Sequence, residues 1–316
     1  MDGTLTKSYD EDSPQPATPG PRRCVNGGQH HEPHGGSLMS FDDVRARLNL
    51  FAVLPNLEDV VRDDPEMHAL VADARITVRL TVVNGPGADV RFAGGTCSVG
   101  PPPRRDQAGG SGPVVRLAFT SSAHLNRMFD GASQPIPVWG FSHLGFLKKQ
   151  FTELSDRMAY YLSPTDELLE HPGYLAMNTL LTLNTAAFAV PVLLGHDPDC
   201  IPLRHGLSQG TVVIKVLPDG PAVSLVCGAS GVLPVKGELS HPSALVLLRD
   251  LPTANAFLGG RLDTFAAAVT GEVELWGRVA MVDTLGLVLD RVGKYLAPAG
   301  EAAPAGSSTP AAAAAG

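Results

Sequence analysis

Residues 154–162 read LSDRMAYYL, and residues 288–296 read VLDRVGKYL. This near-repeat decides how the rest of the chain is read. The run from Gly145, GFLKKQFTELSDRMAYYL, places Leu147, Phe151, Leu154, Met158 and Leu162 at the three-to-four spacing of one helical stripe. An offset of 134 residues, Leu147 to Met281, carries them onto Met281, Leu285, Val288, Val292 and Leu296, all apolar. The same offset carries Asp156, Arg157 and Tyr161 onto Asp290, Arg291 and Tyr295. Shared helicity would preserve the stripe alone; the polar positions point to two copies of one unit, each closed by the same helix.

The correspondence extends upstream. VVRLAFTSSAHLNRMFDG is a β-branched run, a capping hydroxyl at Ser121 or Ser122, a short helix and a stop at Gly131. ALVLLRDLPTANAFLGG repeats this with Asp250 as the cap, Pro252 in the first turn and Gly260 at the stop. Asn126 falls on Asn255 at an offset of 129, so the second copy has five more residues before its closing helix, an insertion of the kind connecting loops tolerate. Further back, ARITVRLTVV (residues 74–83) answers GTVVIKVL (residues 210–217), each a strand run followed by turn residues, NGPG and PDG. Helices lead each copy. In the first they begin at Ser40, where SFDD resembles a capping box, and resume at Asp64-Pro65, a cap followed by a first-turn proline. Segregated helices and strands predict an α+β class, a mostly antiparallel sheet covered by helices on one face.

Composition sets the outer limits. The 316 residues, 44% of them apolar, suffice for two ordinary cores. A formal charge of −8 leaves no electrostatic footprint for nucleic acid. Cys24, Cys97, Cys200 and Cys227 are too far apart for a zinc knuckle and too few for a disulfide scaffold; they read as reduced thiols of a cytoplasmic protein. Neither end carries a recognisable targeting signal. Residues 1–40 hold no Phe or Trp, and residues 297–316 are almost wholly Ala, Pro, Gly, Ser and Thr, so both are expected to be disordered tails. His30, His31 and His34 lie in the first tail, without the surrounding shell that orients metal ligands, and no metal or other cofactor is expected.

The strand, capped short helix ending N-x-x-x-x-G (Asn126 to Gly131, Asn255 to Gly260), the later strand GEVELWG (residues 271–277) and the closing helix resemble the sterol carrier protein, or non-specific lipid-transfer, family. The first copy departs from the family's G-x-V-x-L-x-G strand, reading PIPVWGF, and its assignment rests on the internal repeat. The resemblance covers residues 41–163 and 164–296, as two tandem domains. It implies a sheet and helices around an apolar cavity for a sterol, fatty acyl chain or phospholipid, transient membrane contact, and no catalytic set. The expected cavity residues are Phe146, Phe151, Leu154 and Met158 in the first copy, and Leu180, Leu183, Phe188, Met281, Leu285, Val288 and Val292 in the second. Such side chains also serve as ordinary core. The alternative function is a scaffold, interaction protein or accessory subunit with closed cavities, and Trp139, Phe141 and Phe146 suit a partner surface as well as a cavity mouth.

Two stretches invite other readings. GLSQG (residues 206–210) fits G-x-S-x-G around Ser208, with Asp197 and His205 nearby. A nucleophile elbow needs a strand before its serine and a helix after it, and here the expected strand follows. Residues 173–195 run 23 positions without a charge, long enough to cross a bilayer. A stripe of Asn178, Thr182 and Thr185, Pro191 near the end and acidic flanks argue instead for a soluble helix buried on the second sheet, walling the second cavity with its apolar face.

Overall fold

The computed structural model describes residues 39–103 and 112–296. The expected tails, apart from Met39 and Ser40, lie outside the described residues, and so do Cys24, His30, His31 and His34.

Helices lead, as the caps predict. The Ser40 hydroxyl accepts the Asp43 N–H at 3.2 Å and starts α1 (Phe41–Leu48), which continues through a wider π-type turn at Asn49–Val53 toward α2 (Asn56–Asp63). Asp64 caps α3 (Pro65–Val71) by accepting the Glu66 and Met67 N–H groups. Then follow β1 (Arg75–Val82), β2 (Gly87–Ala93), β3 (Thr96–Gly100), β4 (Val114–Phe119), α4 (Ser122–Phe129) capped by Ser121, β5 (Ile136–Trp139), the single turn α5 (Leu144–Phe146) and α6 (Thr152–Leu162). The second half runs through α7 (Asp166–Leu169), α8 (Pro172–His196), β6 (Gly210–Val216), β7 (Ala222–Gly228), β8 (Gly231–Lys236) and β9 (Ala244–Leu248). It finishes with α9 (Leu251–Leu258) capped by Asp250, α10 (Thr264–Val269), β10 (Val273–Gly277) and α11 (Val279–Leu296).

The strands make two five-stranded sheets, ordered β3-β2-β1-β4-β5 and β8-β7-β6-β9-β10. In each, the middle strand pairs in parallel with the strand after the hairpin, β1 with β4 and β6 with β9, and all other pairs are antiparallel. Corresponding strands therefore have corresponding neighbours and directions. The edge strand β10 ends Trp276-Gly277, and β5 ends at Trp139 with Gly140 next in the chain. Gly140 and Gly277 have φ of 80° and 81°, and a Cβ on either would strike the neighbouring strand, at 2.6 Å from the Val114 carbonyl oxygen in the first case and against that of Ser243 in the second. Only glycine fits a left-handed turn pressed that closely on backbone. PIPVWGF thus occupies the place that GEVELWG occupies in the second half.

The leading helices do not stay within their own halves. Along α1 and its continuation, Ala46, Leu50 and Leu54, spaced by four, are buried in the core of the first sheet. Val44, Leu48 and Ala52, displaced by two residues and so facing nearly the opposite way, are buried in the core of the second sheet. In return, Met177 and Leu181 of α8 enter the first core, while Leu183, Ala187 and Val190 enter the second. A helix apolar on all sides is one buried on all sides. The described residues accordingly fall within one compact unit. Helix α8 is long and apolar enough to cross a membrane, but in this fold most of it is covered by the two cores.

Candidate ligand cleft

The repeated polar residues of the closing helices sit beside buried carboxylates. Arg157 on α6 brings its Nε to 3.2 Å from Asp64, and Tyr161, one turn on, donates its hydroxyl to the same carboxylate at 2.9 Å. Arg291 on α11 donates to Asp197 at 3.0 and 3.4 Å, where Asp197 ends α8. Tyr295, one turn on, is buried in the neighbourhood of Asp197 and Arg291. The carboxylates are almost inaccessible, with side-chain exposures of 5% for Asp64 and 1% for Asp197. Burial opposes ionisation of Asp197, but the Arg291 donors and the Asp199 N–H outweigh it and hold the carboxyl below its ordinary range. Burial and the hydrogen bond to Asp64 push the Tyr161 phenol up to about 12. The arginine and tyrosine, which in sequence are only repeated polar positions, are the clasp that fixes each closing helix to the end of a leading helix segment.

The asparagines of the N-x-x-x-x-G motifs do the same for the short helices. Asn49 donates its amide to Asn126 at 3.1 Å, and Asn255 donates to Asn178 at 2.6 Å, each bond spanning 77 residues of chain. Where the leading helices cross between the halves, Asn56 donates to Thr185 at 2.7 Å and Asn184 to Asp59 at 3.1 Å. Lys236 of β8 reaches across to Glu58 and Asp59 of α2, both at 2.7 Å.

This scaffold holds the closing helices away from the sheets far enough to leave an open cleft of about 1740 Å³. Its walls correspond by the sequence offsets. Leu80 of β1 and Ile214 of β6 line it, as do Leu117 of β4 and Val246 of β9. From the closing helices come Phe151, Met158 and Leu162 on one side and Leu285, Val292 and Leu296 on the other. Arg45, Asn49, Val53, Thr182, Thr185 and Ala186, from the crossing leading helices, line the stretch between. Arg45 is held there by a bidentate bond to Asp130 (2.8 and 2.7 Å) and by the Tyr295 carbonyl at 2.9 Å.

Of the cavity residues expected from sequence, Phe151, Met158, Leu285 and Val292 line the cleft. The other seven do not. Leu154 and Val288, in the middle of each closing stripe, are closed over by core, and so are Met281 and Leu183. Phe146 packs edge-on against Phe92, with ring centroids 5.3 Å apart. Leu180 packs on the first core, and Phe188 packs on the second beneath the Lys236 ammonium. Helix α8 is mostly buried and walls the cleft, but with a different face from the apolar one expected. Its apolar faces are taken up by the two cores, and Thr182, Thr185 and Ala186 meet the cleft. Periodicity identifies a buried face but cannot separate contact with side chains from contact with a cavity. It also gave no sign that a second core would claim the same helix.

Pro137 of β5 and Leu275 of β10 line the cleft beside their partners Leu117 and Val246, whereas Trp139 and Trp276, 63% and 61% exposed, pair with Arg116 and Leu245 on the other face of each sheet; Phe141 and Phe265 are also exposed. Ser208 lies exposed between a 3-10 turn (Ile201–Gly206) and β6, so the strand follows the serine. Among the described residues no three His, Cys, Asp or Glu side chains are grouped to hold a metal ion, and Cys97, Cys200 and Cys227 form no disulfide.

No protein-family model matches the chain, and no curated protein does. Among solved structures it is similar to a UbiJ-SCP2 ubiquinone synthesis protein, at 18% identity and a TM-score of 0.29, over 35% of this chain and 94% of that one. It is likewise similar to sterol carrier protein domain 2 of Helicoverpa armigera, at 14% identity and a TM-score of 0.28, over 36% of this chain and 89% of that one. A sec-alkylsulfatase from a Pseudomonas species matches over 46% of this chain and 29% of its own, at 13% identity and a TM-score of 0.22. Likenesses this distant fix neither a ligand nor an activity.

Proposed function

We propose that the chain is a cytoplasmic carrier that binds a hydrophobic ligand in the cleft and releases it unchanged, and that its halves are tandem copies of one sterol-carrier-like unit. The observation that carries this is the cleft itself, whose walls come from corresponding strands and closing helices of both halves. Ligand sites commonly occupy about 300–1,000 Å³, so a space of about 1740 Å³ suits a lipid better than a small polar metabolite. The exposed Trp139 and Trp276 on the edge strands β5 and β10 would support brief contact with a membrane. Burying about ten methylenes at ~0.8 kcal/mol each yields roughly 8 kcal/mol before ordering costs, which limits a single acyl chain to about micromolar affinity. That strength suits a carrier.

Organic-solvent extraction of the purified protein should yield a lipid by mass spectrometry, and fluorescent fatty acids, acyl-CoAs or sterols should bind saturably. Absence of both transfers the role to a scaffold or accessory subunit. Turnover of an ester that Ser208→Ala abolishes would make the protein a hydrolase.

A further inference from the structure

Two corresponding sets of wall residues would suggest two separate sites, yet the cleft is continuous from one set to the other. Between them the crossing leading helices contribute Asn49, Val53, Thr182, Thr185 and Ala186, with Arg45 beside them, a junction called the waist below. Its one cation is already neutralised by the bidentate bond to Asp130, and the other side chains are uncharged. The remaining charged wall residues, Lys148, Asp156, Asp283 and Asp290, are exposed to solvent. A buried phosphate or carboxylate at the waist would therefore lack an uncommitted counter-charge and suffer its full desolvation cost. An uncharged ester needs no counter-charge and finds there the Thr182 hydroxyl, with the Asn49 amide and the Thr185 hydroxyl each already in one hydrogen bond.

We propose that the occupant is one neutral, two-armed lipid per chain, of the wax-ester class, with its ester at the waist and one hydrocarbon arm in each half of the cleft. This rests on the carrier function above and goes beyond it in stoichiometry, charge and shape. Neither half offers a complete site for such a molecule.

The test uses phosphatidylcholine vesicles doped with either a fluorescent long-chain wax ester or a fluorescent fatty acid of one arm's length, titrated into the full chain. The ester should saturate at one per chain and the fatty acid at two. Ala186→Trp, which fills the waist, should weaken ester binding at least tenfold and by more than it weakens fatty-acid binding. If that variant loses cooperative unfolding, Thr182→Phe serves in its place. Two esters per chain, or ester binding indifferent to a folded waist variant, overturns the proposal. So does a protein that takes two fatty acids and no ester, and in that case the carrier function stands. Binding of neither probe removes the carrier function as well.

Discussion

The two halves use the same residue pair to close, but they hold it differently. In the first, Asp64 is met by Arg157, by the Tyr161 hydroxyl and by two backbone N–H groups of the helix it caps. In the second, Asp197 relies on the two Arg291 donors, one backbone N–H and the Cys200 thiol at 3.7 Å. The first carboxylate is over-determined, and the second leans on a single guanidinium. A duplicated contact need not be equally important in both places, because what matters is how many donors remain when one is removed.

The largest expected effect tests whether the halves are thermodynamically separate. Leu48 belongs to the first half by sequence and to the second core by packing. Leu48→Ala should cost about 2–5 kcal/mol. Hydrogen exchange should show protection falling in β6, β7 and β9 as well as in β1, β2 and β4; loss confined to the first sheet would mean that the halves fold independently. Next in size, Arg291→Ala strands a buried carboxylate and should cost about 3 kcal/mol in denaturant unfolding, against about 1–2 for Arg157→Ala. Equal losses would erase the contrast between the clasps.

The Asp197 clasp should also respond to acid. The folded pKa of Asp197 lies below its unfolded value, so its contribution is present above the ordinary carboxylate range and is lost as pH falls through the depressed folded pKa. The stability gap between the wild type and Asp197→Asn should thus be full at neutral pH and shrink below about pH 4. A gap that is constant with pH would show that Asp197 is not held ionised by its partners. The smallest effects belong to the paired caps. Ser121→Ala and Asp250→Ala each remove one N-cap acceptor, from the His124 and Thr253 N–H groups, and should each cost about 1 kcal/mol. A cost near zero at Ser121 would identify its 3.2 Å bond as too weak to hold α4.

What the sequence determined by itself is local and periodic. Ser40, Asp64, Ser121 and Asp250 mark helix starts because a short side-chain acceptor satisfies N–H groups that the helix leaves free, which depends on a few neighbouring residues only. Strand runs bounded by turn or capping residues marked β1, β4, β6 and β9, and the fixed offset between the closing helices located two corresponding stretches. The recurrence of Arg157 with Tyr161 and of Arg291 with Tyr295 was equally visible, but not its purpose, because Asp64 and Asp197 lie more than 90 residues upstream. The tertiary structure decided the rest. The two apolar stripes of α1 and its continuation, displaced by two residues, alternate in sequence with Arg45, Arg47 and Asn49, and only the crossing with α8 sends them to different cores. The same crossing placed Thr182 and Thr185 on the cleft while it buried Leu154, Leu183 and Val288. Burial is a property of what packs against a side chain, and the packing partner here comes from the other half of the chain.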